Sequence, residues 1–332
     1  MLCCVPLSEV IIPKVEALLL KYEKSSVEIS ERFVNFLDNS QNSKGNFFCL
    51  CNSETSAQKS LPEKNGAYTD VAGLVFVSQA GLILHVFEES VMREQGTELQ
   101  KALIPVLKTR QVYCISGEEQ GSKIIESVVS VSHPGLKQTD CREYGLMEYR
   151  EEASDDTGLV PEYKIIHCTS QDYGKLIDLQ KEYDVVEVLP SCMDFNFQLC
   201  RGNLLRVLEL GRVYAIPTWR EVSSGTGKTL RVYDESKTYA AKAALSALSR
   251  NCIQIGGVFT QRWYRKKGCA ASLTRWLARQ ALKTNKQAVL FVRKENTPAI
   301  HAYENAGFYF IKNYRISYYF KSDYISEKAD KE

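Results

Sequence analysis

The residues between 255 and 271 carry the chemistry most open to reading in this chain. An apolar stretch ends at Val258-Phe259-Thr260, a turn holding Arg262, Arg265, Lys266 and Lys267 follows, and Gly268 precedes Cys269-Ala270-Ala271 at the start of a helical repeat. Ala270, Leu273, Leu277 and Ala281 recur at helical spacing while Arg275, Arg279 and Lys283 fall on another face, the pattern of an amphipathic helix packed on a sheet. A strand running through a turn into such a helix leaves the first helical turn open to solvent. There the unpaired N–H groups and the positive end of the macrodipole favour an anion such as a phosphate. Gly268 is expected to let the ligand approach the backbone without meeting a Cβ, and the four cations add charge beside it. The plainer reading is a solvated basic turn or a weak nucleic-acid patch, which an R-x-x-G alone does not exclude.

The flanking residues add a family resemblance. Arg265-Lys266-Lys267-Gly268-Cys269-Ala270 resembles the Q/R-x-x-G-x-G/A acetyl-CoA loop of the GNAT superfamily of acyltransferases, and Val258-Phe259-Thr260 stands where that family has its V-x-T strand end. Ala288-Val289-Leu290-Phe291-Val292 resembles the family's next strand. Asn296-Thr297-Pro298-Ala299-Ile300-His301-Ala302-Tyr303-Glu304-Asn305-Ala306-Gly307-Phe308 resembles the N-x-x-A-x-x-x-Y-x-x-x-G-F helix that follows it. The likeness covers residues 160–320, and the whole chain is similar to tandem members whose first copy is degenerate. It implies an α/β fold (α+β by some schemes) of two GNAT-like domains, each a mixed, mostly antiparallel central sheet flanked by helices. The activity it implies is that of an acyl-CoA-dependent N-acetyltransferase. Acetyl-CoA would be the co-substrate, and its acetyl group would pass directly to an amine of a small molecule or peptide. Residue by residue, the resemblance places CoA against Val258, Phe259, Thr260, Arg265, Lys266, Lys267, Gly268, Cys269, Ala270, Ala271 and Asn296, with no metal, and makes Tyr303 the general acid.

Acetyl transfer from a thioester to an amine needs the carbonyl held beside the nucleophile, donors for the oxyanion, and a proton for the expelled thiolate. Backbone groups of Val258-Phe259-Thr260 suit both the pantetheine arm, paired like an added strand, and the oxyanion. Tyr303 lies on a short helix that Thr297 is expected to N-cap and Pro298 to open, with Gly307 ending it. It is either the acid or a buried core tyrosine. Asn296 either orders the loop or a water near the cofactor or is a turn residue before the helix. His301, two positions before Tyr303, faces elsewhere and reads as a partly exposed helix residue. Cys269 sits at a helix N-terminus, where a thiol pKa is expected to fall; the family uses no covalent catalysis, and the turn needs only a small residue. No carboxylate lies on 253–260, where many relatives keep a base, and Glu221 is the nearest candidate by sequence. That gap leaves room for a different class of protein, a non-catalytic acyl-CoA-binding or regulatory module. Aminoacyl transfer from tRNA on a tandem version of the fold would require a nucleic-acid surface.

Bulk properties fit a soluble globular chain. Its 332 residues suffice for two domains with cores of their own. A net charge of +2 makes the basic turn a local feature, so neither nucleic acid nor membrane is expected as a partner. Eleven cysteines without a regular framework suit reduced thiols. Met1-Leu2-Cys3-Cys4 lacks the apolar run of a lipoprotein signal, and no segment has the length of a membrane span, so a cytoplasmic location is expected. Cys49-Leu50-Cys51 lacks companion ligands for zinc and reads as strand. Gly225-Thr226-Gly227-Lys228-Thr229 resembles a P-loop ending but has Val222 where the first glycine belongs, which makes it a surface loop.

The elements that must position these residues divide into an N-terminal domain, 1–150, a linker, 151–160, and a C-terminal domain, 161–325. In the first, helices are expected over 6–22, with Ile11, Val15, Leu18 and Tyr22 in a stripe, and over 27–37. After a polar stretch at 53–66 come a hairpin of 71–77 and 82–87 around Ser78-Gln79-Ala80-Gly81, a helix 98–108, a strand 111–116, a helix 122–130 and a strand 145–150. In the second, a strand 163–168, helices 172–183 and 195–204, and strands 212–216 and 239–248 flank a Gly/Ser loop at 223–228. Alanine-rich composition favours helix at 240–248, and the resemblance favours strand. Ile83, Val86-Phe87, Arg93 and Gly96 match Ile255, Val258-Phe259, Arg265 and Gly268 at a constant offset, a sign of duplication. Glu88, Glu94 and Glu98 replace Thr260, Lys266 and Ala270, with Glu89 adjacent. Carboxylates there would oppose a pyrophosphate, so the first copy reads as a scaffold that has lost its cofactor.

Overall fold

The structure is a computed structural model and describes residues 2–38, 45–52, 70–151, 160–190, 193–223 and 229–321. The polar stretch 53–66, nearly all of the linker 151–160 and the P-loop-like residues 225–228 lie outside these. In chain order the elements are β1 (Leu2–Pro6), α1 (Ile12–Lys21), α2 (Val27–Asp38), β2 (Gly45–Asn52), β3 (Val71–Ser78), β4 (Leu82–Phe87), α3 (Glu89–Glu94), α4 (Gly96–Leu107), β5 (Cys114–Glu118), α5 (Glu119–Ser132) and β6 (Leu136–Tyr149). They continue with β7 (Ile166–Cys168), α6 (Tyr173–Tyr183), α7 (Phe197–Glu209), β8 (Val213–Ser223), β9 (Thr229–Leu248), β10 (Cys252–Thr260), α8 (Cys269–Lys283), β11 (Gln287–Arg293), α9 (Thr297–Asn305) and β12 (Phe308–Lys321). Two compact units result, one of Met1–Tyr144 with Lys312–Glu332 and one of Gly145–Ile311.

In the first unit the strand order is β1-β2-β3-β4-β5-β12, antiparallel except for the parallel β4–β5 pair. Both faces are covered, so β3 and β4 at the centre of the sheet are almost wholly apolar. Phe47, Cys49, Leu74, Phe76 and Leu84 pack against α1 and α2, while Phe48, Leu50, Val75, Ile83 and Phe87 pack against α4 and α5. Two expectations shift. The first helix begins at Ile12, not at residue 6, because Leu2–Pro6 pairs with β2 (Cys3 opposite Cys51, Pro6 opposite Phe48) and stays extended. β6 starts at Leu136, well before 145, since its polar first half has no alternation to announce a strand. Cys49 and Cys51 are buried strand residues.

The second unit runs β6-β11-β10-β9-β8-β7, with β10–β11 parallel and the pairs from β10 to β7 antiparallel. Helices α6 and α7 cover one face through Leu176, Leu204 and Leu208, and α8 and α9 cover the other through Leu273, Leu277 and Tyr303. The alanine-rich run is strand. Ala240, Ala241, Ala243 and Ala247 are fully buried, and sheet pairing on both sides outweighs the helical preference of alanine.

Candidate active site

The site begins in β10. Its pairing with β11 covers Cys252 to Ile255 and ends there, while the ladder with β9 passes from Gly256 opposite Ala244 directly to Phe259 opposite Lys242. Gly257 and Val258 stand against the single residue Ala243, a β-bulge with one surplus residue, and Gly257 takes a φ of +58°, which only glycine adopts freely. From Gly256 onward the edge of β10 toward β11 has no ladder partner. Beyond Ile255 the two strands run on unpaired, and the slot this leaves between them offers backbone groups that can receive an extended arm as an added strand.

Past Thr260 the chain makes a 3-10 turn (Arg262–Tyr264) and enters α8 through Lys266 at φ 60° and Gly268 at φ 77°. No side chain caps α8, and its first intrahelical bond is from Ser272 N–H to the Gly268 carbonyl, so the N–H groups of Cys269, Ala270 and Ala271 precede the hydrogen-bonded turn. Arg265, Lys266 and Lys267 are exposed around it. Arg265 Nε donates to the Thr260 carbonyl at 3.2 Å, with its guanidinium 5.5 Å from the Phe259 ring, and Lys267 lies over Trp219 and Tyr264.

One local expectation gains a second cause and another is corrected. A Cβ on Gly268 would lie 2.8 Å from Cδ of Pro161, so the left-handed turn and this proline each require the glycine, whatever approaches its backbone. Tyr163, two residues on from that proline, donates its hydroxyl to the Lys267 carbonyl. The Cys269 thiol is not activated: burial pushes it up to about 11, outweighing the hydrogen bonds and the nearby Lys267 and Arg231 that act to lower it.

Tyr303 is buried in the same apolar cluster as Cys269 and Ala271. Burial, then the nearby Tyr183 and Glu187, holds its hydroxyl well above the ordinary phenol range, so it stays protonated and able to donate. The helix that carries it is capped by Asn296, not Thr297. Asn296 Oδ1 accepts from Ala299 N–H at 3.2 Å, the three-residue reach of an N-cap side chain, while Pro298 occupies the first turn. The remaining amide of Asn296 donates to Glu187 Oε1 at 3.2 Å. At the far end of α9, Arg275 donates to the carbonyls of Asn305 and Ala306, a cation at a helix C-terminus. His301 is exposed and pairs with Glu304. Glu221 is exposed opposite Arg231 on the β8–β9 hairpin and joins none of these groups.

The strand end, the turn, the helix start, Asn296 and Tyr303 are thus gathered in one unit. Three further residues join them that sequence reasoning passed over. Tyr183 lies 6.4 Å from the Phe259 ring, Glu187 stands on a π turn (Asp184–Val188) after α6, and Lys242 reaches the bulge from β9. The glycine pair 256–257 inside a strand was the available signal for the bulge, and a lone lysine among buried alanines was the signal for Lys242.

Residues 209–308 match the family model described as the acetyltransferase (GNAT) family. The second unit carries a GNAT domain. Solved structures with the same fold include a Drosophila protein (TM-score 0.58, 11% identity, 95% of this chain and 98% of that one). Another is a tandem GNAT protein from the clavulanic acid biosynthesis pathway (0.53, 11%, 97% and 98%), and a third is a GCN5-related N-acetyltransferase from Sphaerobacter thermophilus (0.53, 11%, 96% and 95%). No curated protein matches the chain.

The corresponding place in the first unit differs from that of the GNAT domain in kind. The β4–β5 pairing also ends early, at Leu84 opposite Ser116, but β4 pairs with β3 in continuous register and has no bulge. His85, at the position of Gly257 under the constant offset, fills the opening. Its ring stacks on Phe87, Nε2 is 2.9 Å from Ser122 Oγ, and a Cβ on Gly117 would lie 2.1 Å from Nε2. Burial pushes this imidazole down to about 3, so it is neutral. Helix α4 carries Glu98 in its first turn where α8 has Ala270.

Proposed function

We propose that the second unit is an acetyl-CoA-dependent N-acetyltransferase passing the acetyl group directly to an amine of a small molecule or peptide. The observation that carries this is the slot opened by the Gly257 bulge, running toward a basic, uncapped helix start: an extended arm fits the first and a pyrophosphate the second. In this reading Val258, Phe259 and Thr260 hold the pantetheine arm. Arg265, Lys266 and Lys267, with the backbone of Gly268, Cys269, Ala270 and Ala271, hold the pyrophosphate. Asn296 orders the α9 end of the slot, and Tyr303 protonates the leaving thiolate. The first unit is a degenerate copy that binds no CoA. Nucleic acid and membrane are not partners, and a cytoplasmic location accords with described cysteines that are all unpaired. Among the described residues no helix is long and apolar enough to cross a membrane.

Calorimetric titration with CoA, alongside thioester consumption with a panel of amines, tests the proposal. Ala270→Glu copies Glu98 of α4, keeps a carboxylate that a helix start tolerates, and is expected to weaken CoA binding by roughly tenfold or more; Arg265→Glu should act likewise. Unchanged affinity in both folded variants removes the anion cradle. Tight binding with no amine consumed would instead favour an acyl-CoA-binding module.

A further inference from the structure

Lys242 stands in the alanine run of β9 and is 2% exposed. A lysine is almost never buried to this extent without a partner. Its side chain leaves the sheet on the α6–α7 side, where the Tyr183 ring centroid lies 4.6 Å from Nζ and Asp184, Cys200 and Cys168 are its titratable neighbours. Nζ donates to the Gly257 carbonyl at 2.8 Å. That carbonyl and the Val258 N–H are the two ends of one peptide group, joined by a C–N bond of partial double-bond character. A cation on the oxygen draws density away from the nitrogen and makes the N–H a stronger donor, as in any polarised chain of hydrogen bonds. Val258 has no partner in the register of either ladder, and it lies in the strand end where an oxyanion donor is needed.

We infer that Lys242 is a positioning residue for acyl transfer: its ammonium holds the bulge at Gly257 and polarises the Gly257–Val258 peptide, whose N–H meets the thioester oxygen as that oxygen becomes an oxyanion. This rests on the acyltransferase reading of the second unit. In the step concerned, the amine nitrogen bonds to the carbonyl carbon and the C=O electron pair moves onto the oxygen facing Val258. On collapse that pair returns and the C–S bond breaks. The thiolate takes the Tyr303 proton, which solvent replaces, and the amine proton leaves to solvent.

The charge on Lys242 is available over a definite range. Burial pushes its ammonium down to about 8, with the Asp184 carboxylate acting in the opposite sense. Burial holds the Cys168 and Cys200 thiols up at about 12, so they stay neutral. Polarisation is therefore present below about pH 8 and lost above it. A lysine acting as general base would give the reverse trend.

The test is difference infrared spectroscopy of carbonyl-labelled acetyl-CoA bound to the whole protein, with steady-state kinetics beside it. In wild type the bound thioester C=O stretch should lie below that of free acetyl-CoA and move back toward it as pH rises through about 8. Lys242→Met should lack the shift at every pH and lower kcat about tenfold, part of the value of an oxyanion donor, with KM little changed. A band at the same position in wild type and variant, or a wild-type band that ignores pH, overturns the inference; the wild-type titration decides even where the variant does not fold. Failure of wild type to bind acetyl-CoA is a separate result that overturns the acyltransferase reading together with this one.

Discussion

Tyr303 shows how burial and chemistry cooperate at a single side chain. Desolvation costs the phenolate far more than the phenol, so Tyr303 keeps its proton, and in the proposed reaction that proton is the one available to the departing thiolate. Tyr303→Phe keeps the ring in its cluster and removes only the donor. We expect turnover to fall about a hundredfold while the CoA dissociation constant changes little, because the hydroxyl acts on the leaving group and not on the bound thioester. Stopped-flow acetyl transfer and calorimetry on the same sample check both halves, and wild-type rates would make Tyr303 a core residue. The contrast with Cys269 is instructive: it also sits near a favourable dipole, yet burial decides its state and leaves it inert.

At the scale of elements, the site is made by an interruption of regular structure. One surplus residue in β10, just past the end of the ladder with β11, leaves Val258 outside the register of both neighbours, and the Gly257 carbonyl beside it accepts from Lys242. Gly257→Ala puts a Cβ 3.4 Å from Nζ in a left-handed conformation that alanine resists. A loss of about 1–2 kcal/mol is expected in urea titration. The kcat should fall by more than CoA affinity does, because the proposed pyrophosphate site lies elsewhere, at the start of α8. A variant as stable and active as wild type would show that the bulge is incidental. Asn296 is likewise shared between two tasks, capping α9 and fastening Glu187, which ties the start of α9 to the π turn after α6.

For the whole molecule, two units of one architecture bring one slot that is open and one that is plugged. His85, at the position of the bulge glycine, packs its ring against Gly117 and Gly121, and Glu98 occupies the helix start that an anion would need. Titration should therefore saturate at one CoA per chain. Emptying the plug alone should not add a second, so His85→Ala is expected to keep the same stoichiometry, since β4 still lacks a bulge and α4 still carries its carboxylate. Two equivalents bound by either protein would show that both copies work.

What the sequence determined by itself was local: the order of strand, basic turn and helix, the turn glycine at 268, and the fold class. Each of these depends on residue spacing and on backbone conformations set by neighbours in the chain. Even the first β-strand escaped this reading, because Leu2–Pro6 is extended only by pairing with β2. The tertiary structure decided which polar groups meet across elements. Lys242 and Gly257 are 15 positions apart, and Glu187 and Asn296 are 109 apart, so no periodicity announces either contact. It also decided protonation, since the burial that keeps Tyr303 protonated and lowers Lys242 comes from side chains on several elements at once. Gly268 lies between the two: its left-handed turn is local, but the proline that fills the space of its missing Cβ belongs to a segment more than 100 residues away.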